Sequence, residues 1–340
     1  LFALSAPFSG IILKDSLVPN SPSIRQLARC FLFAFLSASA IGFAQVAVVL
    51  NSGDGTVSLI DKVKKQEIKR FPVGKEPHHL MATPDDQYLI VANAVSNDLV
   101  LLDPKTGEIK RRVEKISDPY QIGFSPDKKW FVSVSLRLNR TDIYDGDFKL
   151  IKRLPTPKAP SHVAFTSDSK LAFITLQDSN QLAAIDLGTQ TVRWTMPVGK
   201  MPAGVWVTPD DKHVLIGMTG EDYVEVVDWR TQKTVKKIKT GKGAHNFIAM
   251  GDGRRILVSN RVENTVNIID QETLSVVDTI KVPGGPDCME LTADGKELWV
   301  TSRWAQKVTI IDMPTKQIQK QIPVGKSPHG IYFMGHAPRR

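Results

Sequence analysis

The chain has 340 residues, 42% hydrophobic and 23% charged, with a formal charge of +9. That mixture excludes disorder and collagen-like repetition, and the length suits two average domains or one large closed architecture. Its 2 cysteines, Cys30 and Cys288, support neither a disulfide scaffold nor a CxxC metal or redox motif.

In chain order, the first predicted element is a leader. Arg25 and Arg29 precede an apolar run from Cys30 to Phe43 that ends among the small residues Gly42 and Ala44. A basic segment, a short apolar stretch and small residues are the pattern of a secretory signal cleaved after Ala44. The run is too short to cross a bilayer core of ~30 Å. Residues 1–44 are therefore expected to be removed, 45–335 to form the domain and 336–340 to be a tail. The mature protein is expected in the periplasm, as a monomer without a membrane span. Cys30 lies before the apolar run, the wrong place for a lipobox, and its loss leaves Cys288 as the single thiol.

A repeat begins with Val73-Gly-Lys-Glu-Pro-His-His-Leu80, followed by Thr83-Pro-Asp-Asp86 and Tyr88–Asn93. Pro77 recurs as Pro119, Pro160, Pro202, Ala244, Pro286 and Pro328, at steps of 42, 41, 42, 42, 42 and 42. Asp61, Asp103, Asp145, Asp186, Asp228, Asp270 and Asp312 recur in step. Each unit holds four short apolar runs; in the first they are Leu80–Thr83, Tyr88–Ala92, Leu99–Leu102 and Ile109–Val113. Turn residues separate them, and runs this short are strands rather than helices. Four antiparallel strands in about 42 residues, repeated seven times, predict an all-β, seven-bladed propeller. Residues 46–50, 55–60 and 66–71 supply three strands that lack a first one, and His329–Met334 supplies a lone first strand. Pairing these ends closes the ring and leaves no sheet edge between them.

The stretches VGKEPHHLMATPDDQYLIVANAVSNDLVLLDPKTGEIKR, NTVNIIDQETLSVVDTIKV, TADGKELWVTSRWAQKVTIID and VGKSPHGIYF resemble the YVTN-repeat propellers, among them the YncE-type proteins. The resemblance covers essentially the whole mature chain and implies the fold; propellers host unrelated chemistries, so it implies no single function. The tyrosine of YVTN is mostly replaced, as in Trp299-Val-Thr-Ser302 and Leu257-Val-Ser-Asn260.

The two positions after the proline hold His78, Tyr120, Ser161, Ala203, His245, Asp287 and His329, then His79, Gln121, His162, Gly204, Asn246, Cys288 and Gly330. Five of the 7 histidines fall there. Each dipeptide lies where the chain enters the strand bordering the channel, so the set is expected to ring one mouth. His78, His79, His162, His245 and His329 are thus candidate metal ligands, since neutral imidazole binds copper, zinc and iron. The plainer reading is a wet mouth whose histidines bond to water or carbonyls. His79 resembles the haem-ligating position of haem d1-binding propellers, and His78-His79 resembles a pair in the copper-binding propeller of nitrous oxide reductase. These resemblances imply copper or a haem d1-type tetrapyrrole as candidate cofactors. Cys288 reads as a small buried residue, with a soft ligand or redox thiol as alternatives.

Two residues before the proline stand Lys75, Lys158, Lys200, Lys242 and Lys326, and Arg137, Arg261 and Arg303 follow the second strands. Together with Tyr120, Asp287 and Trp304 they form the candidate ligand-binding rim, suited to a carboxylate or phosphate. Solvated turn lysines are the plainer reading. No GxSxG elbow, P-loop or HExxH is present. The expected function is ligand binding or scaffolding, without assigned catalysis, toward a small anionic ligand or another periplasmic protein. Alternatives are a copper- or tetrapyrrole-binding redox or accessory protein, and a binder of nucleic acid or another anionic polymer.

Overall fold

A computed structural model of the protein describes residues 46–339. The leader and signal peptide read in residues 1–44 lie outside the described residues. The described chain forms 28 strands, numbered β1 to β28 along the sequence. They make seven four-stranded antiparallel sheets, each built from strands consecutive in sequence except the one that closes the ring. This is the seven-bladed propeller that the repeat predicts.

The first complete blade comprises β4 (Pro77–Ala82), β5 (Leu89–Asn93), β6 (Asp98–Leu102) and β7 (Ile109–Glu114). Both middle strands are buried along their whole length, whereas β7 is exposed except for half-buried Val113. That gradient explains the apolar middle runs and the charged Ile109-Lys-Arg-Arg-Val-Glu114. Charges on an outermost strand also discourage pairing with another chain. The recurring aspartate closes the outer hairpin of each unit: Asp61 Oδ1 accepts the Val63 and Lys64 amides, each at 2.9 Å. An Asx-type turn of this kind supplies a local acceptor to free backbone donors.

The predicted closure is present. β28 (Pro328–Phe333) pairs antiparallel with β1 (Val46–Asn51), placing Ala47 opposite Phe333 and Val49 opposite Ile331. Strands β2 (Thr56–Asp61) and β3 (Gln66–Pro72) complete that sheet. Alternation along β1 joins neighbouring blades. Val48 and Leu50 pack with Leu89 and Val91, while Ala47 and Val49 pack with Trp299 and Val308. A period of two thus gives each blade two apolar faces.

Two boundaries differ from the sequence expectation. The first blade's inner strand starts at Pro77 rather than Leu80 and the closing strand at Pro328 rather than His329, and the inner strands at 160, 202 and 286 likewise start at the proline. Proline is tolerated as the first residue of a strand because its missing N–H is not needed there. Residues beyond 335 also pack: His336 bridges to Thr292, the Ala337 amide donates to the Leu291 carbonyl at 2.7 Å, and Ala337 is buried.

Removing residues 328–340 should leave β1 an open edge. Loss of cooperative urea unfolding, with self-association by size-exclusion chromatography, is the expected result; an unchanged midpoint in a monomer would refute the closure argument.

Candidate functional site

The site is assembled by a bulge at the start of the inner strands. In β12 (Pro160–Phe165) the register against β13 (Leu171–Leu176) jumps from Pro160↔Leu176 to Val163↔Ile174, so two residues face one. The same shift occurs after Pro202, Ala244 and Pro286, and a related one passes His78. A bulge breaks the alternation that would send adjacent side chains to opposite faces, so either member of each dipeptide can turn toward the axis.

The rings meet there. His78 stacks on Tyr120 with centroids 3.7 Å apart and lies 4.1 Å from His329. Tyr120 is 6.4 Å from His162, His162 is 5.1 Å from His245, and His245 is 6.5 Å from His329. His78, His162, His245 and His329 are all buried. His78 Nδ1 bonds to the Tyr120 carbonyl at 2.7 Å, and His162 Nδ1 to Ser161 Oγ at 2.6 Å. Five rings from distant repeats therefore share one axial cluster, and His162 enters it from the second dipeptide position. The unit without a polar member has a packing reason: a Cβ on Gly204 would lie 1.7 Å from the His245 carbonyl oxygen.

Asp287 is the charged centre of the cluster and is fully buried. Arg261 Nη2 donates to its two oxygens at 2.7 and 2.6 Å, and Arg303 Nη1 to Oδ2 at 3.1 Å. Burial alone would raise this carboxyl, but Arg261, with His329 and His245, holds it well below the usual range. His245 Nδ1 lies 3.1 Å from Oδ1, and His329 Nε2 lies 3.6 Å from Oδ2, beyond hydrogen-bond distance. Burial lowers every axial imidazole: His245 to about 4, and His78, His162 and His329 well below the ordinary value. The rings are consequently neutral at pH 7 and carry free lone pairs, as metal ligands require.

His79 separates from its neighbour. It lines a cavity of about 200 Å³ under the ring cluster, with Asn246, Cys288, Glu290, Trp206 and Arg339. Its Nδ1 is buried without a partner, and burial takes its pKa to about 4. Arg339 Nη2 donates to Glu290 Oε2 at 2.8 Å, while burial pushes the Glu290 carboxyl up to about 7. Pockets for organic ligands usually start near about 300 Å³. The cavity therefore suits an ion or a molecule of few atoms, and a tetrapyrrole does not fit it.

Among the described residues, one group of three possible ligands has its ligating atoms within 4.8 Å of one another: Asp287, Cys288 and His329. Cys288 Sγ lies 3.5 Å from His329 Nδ1 and accepts from Asn246 Nδ2 at 3.1 Å. The imidazoles thus gather without forming a three-imidazole metal site.

The rim residues divide. Arg261 and Arg303 reach the axis. Arg137 instead bonds Asp118 at 2.7 Å and Glu76 at 2.8 Å, out on the loops. Lys75, Lys158, Lys200, Lys242 and Lys326 are exposed, and their carbonyls, not their ammonium groups, hold the neighbouring loops. Glu76, Asp118, Glu221, Asp222 and Glu263 stand among them, so the rim is mixed in sign. Trp304 is 58% exposed and covers Gly285, away from the cluster. Asn246 and Glu290 were not singled out from sequence. Asn246 occupies a repeat position that carried the signal, whereas Glu290 and Arg339 obey no period.

A YNCE-like beta-propeller profile matches residues 17–339. The chain belongs to that family. No curated protein matches the sequence. The YncE-like chain is 17% identical to the dihydro-heme d1 dehydrogenase NirN solved in complex with DHE, with a TM-score of 0.65 over 86% of this chain and 76% of that one. A functionally unknown protein from Desulfotomaculum acetoxidans DSM 771 is 14% identical, with a TM-score of 0.73 over 85% and 99%. Kuenenia stuttgartiensis hydrazine synthase is 19% identical, with a TM-score of 0.62 over 74% and 87%. At these identities the likeness is one of fold.

The pKa directions set a pH dependence. His79 and His245 titrate near 4 when folded and near about 6.5 when unfolded, so between those values the unfolded chain holds more protons. Stability should fall on acidification, by about 1.4 kcal/mol per pH unit for each such ring. Glu290 opposes this: its raised folded pKa means that the folded chain holds the extra proton between about 4.5 and 7. Urea titrations from pH 6.5 to 4.5 should therefore show a steeper acid loss in Glu290→Gln than in wild type; parallel curves would contradict the burial of that carboxyl.

Gly204→Ala should lower stability by about 1–3 kcal/mol through overpacking, read from the urea midpoint. An unchanged midpoint would mean that the inner strands are less tightly apposed.

Proposed function

We propose that this YncE-like protein is an exported ligand-binding propeller whose site is the axial cluster and the cavity beneath it. The observation that carries the reading is the convergence of buried neutral imidazoles on Asp287, with His245 Nδ1 at 3.1 Å and His329 Nε2 at 3.6 Å from its carboxylate, beside a cavity lined by His79, whose buried Nδ1 has no partner. An unsatisfied buried polar atom costs about 1–3 kcal/mol, and a ligand that bonds to His79 removes that cost. The cavity limits the ligand to a small one. NirN, described as a dihydro-heme d1 dehydrogenase in complex with DHE, shares the scaffold, but the cavity in this chain supports no tetrapyrrole. A polymer-binding rim has less support, because carboxylates interrupt its lysines.

Export is supported by the leader pattern, and a mature N-terminus at Gln45 in a periplasmic fraction is the expected result. For the site, protein purified without harsh washing should release about one small ligand per chain on unfolding, identified by mass spectrometry and elemental analysis. His245→Gln should lose it while keeping its circular dichroism. A wild-type chain that carries nothing, and takes up nothing from a panel of small anions and metal ions, would defeat the proposal.

A further inference from the structure

We infer that Cys288 and His329 form a binding site for a d10 transition-metal ion, copper(I) or zinc(II), with Asp287 as the carboxylate that orients the imidazole. This rests on reading the axial cluster as a ligand site, and it narrows that reading to a different ligand pair from the ring of histidines.

Cys288 lies on β24 (Pro286–Leu291) and His329 on the closing strand β28, in adjacent blades. Their Sγ and Nδ1 atoms are 3.5 Å apart. A tetrahedral ion with sulfur at about 2.3 Å and nitrogen at about 2.0–2.1 Å spaces those two atoms by about 3.5 Å. The separation therefore accepts an ion between them without movement of either strand.

The far nitrogen of the same ring supplies the second observation. His329 is 2% exposed, and its Nε2 has no hydrogen-bond partner although Asp287 Oδ2 stands 3.6 Å away. A carboxylate behind a metal-ligating histidine fixes the ring and raises its basicity. Here that carboxylate is itself anchored by Arg261 and Arg303. Asn246 Nδ2 holds the sulfur from the other side at 3.1 Å.

Charge favours the same conclusion. A copper(I)–thiolate pair is neutral overall, so it adds no net charge to a buried centre in which two guanidiniums already outnumber the one Asp287 carboxylate. Zinc(II) would add one positive charge beside them. Thiolate with imidazole is a ligand set for copper(I) or zinc, whereas magnesium, calcium and manganese favour oxygen. The remaining coordination positions open on the cavity lined by Asn246 and by His79, whose Nδ1 is unpartnered. Binding displaces the thiol proton to solvent and changes no oxidation state.

The test uses the mature full-length protein, stripped of metal under reducing conditions. Copper(I) is titrated anaerobically against a chromophoric copper(I) chelator, and zinc(II) separately against a zinc indicator. One ion per chain and a near-ultraviolet sulfur-to-copper band are expected. Cys288→Ser should weaken binding at least about 100-fold, and Asp287→Asn by about 10–100-fold; His213→Gln, outside the cluster, should change nothing. Equal affinity in wild type and a folded Cys288→Ser overturns the inference. Should that variant fail to fold, X-ray absorption on the loaded wild type decides: one sulfur near about 2.3 Å supports the site, and a shell of nitrogen and oxygen alone overturns it. If wild type takes up no metal but releases a small anion on unfolding, the metal inference falls and the axial reading stands. If it does neither, both fall.

Discussion

The pairing of β28 with β1 is the constraint on which the rest depends. It removes two open sheet edges, and it also delivers His329 to the axis. Without that strand, His78 loses the ring 4.1 Å away and Cys288 loses its imidazole at 3.5 Å. Asp287 likewise loses a nitrogen at 3.6 Å. Closure and site assembly are therefore one event, and a fragment lacking β28 loses His329 from the cluster.

Within the cluster two opposing effects are settled by distance. Desolvation favours neutral forms for every ionisable group. Asp287 escapes because a guanidinium bonds both of its oxygens and a second bonds one. Asp287 also pulls on the imidazoles of His245 and His329, but burial, aided by the Arg261 and Arg303 charges, outweighs it and decides their state. The outcome is one fixed ionic triplet surrounded by neutral rings. Such a triplet contributes little net stability once its own desolvation is counted; its value is positional, since it sets a carboxylate 3.6 Å behind the ring of His329.

The architecture was legible because it is periodic. One proline spacing and one aspartate spacing set the blade count, the strand order and the closing strand. The convergence of His78, His162, His245 and His329 was legible for the same reason: residues at equivalent repeat positions must meet around a common axis. What period could not convey is orientation. His78 and His79 adjoin in sequence, yet one joins the ring stack and the other faces the cavity below, because a bulge lies at that point. The lysine column is as regular as the histidine column, but lysines reach solvent while their carbonyls do the structural bonding. Arg137, Arg261 and Arg303 look equivalent, and only two of them find Asp287. Glu290 and Arg339 belong to no column, and their pairing depends on a C-terminal segment that reads as a tail.

The two sides of the cluster differ in chemistry, and this bears on what can be bound. On one side stand the packed rings and the Arg261–Asp287–Arg303 ion group. On the other, the segment after Gly335 lies against β24, held by the Ala293 and Ala337 amide bonds and by an ion pair whose arginine side chain is 48% exposed. A cavity of about 200 Å³ has room for an ion and a few atoms besides. A ligand larger than the cavity would displace Ala337 and Arg339, which line it, breaking an ion pair whose Glu290 carboxylate is buried. The volume of the cavity thus selects in the same direction as the donor atoms: toward a small ion held by sulfur and nitrogen, and away from a bulky cofactor.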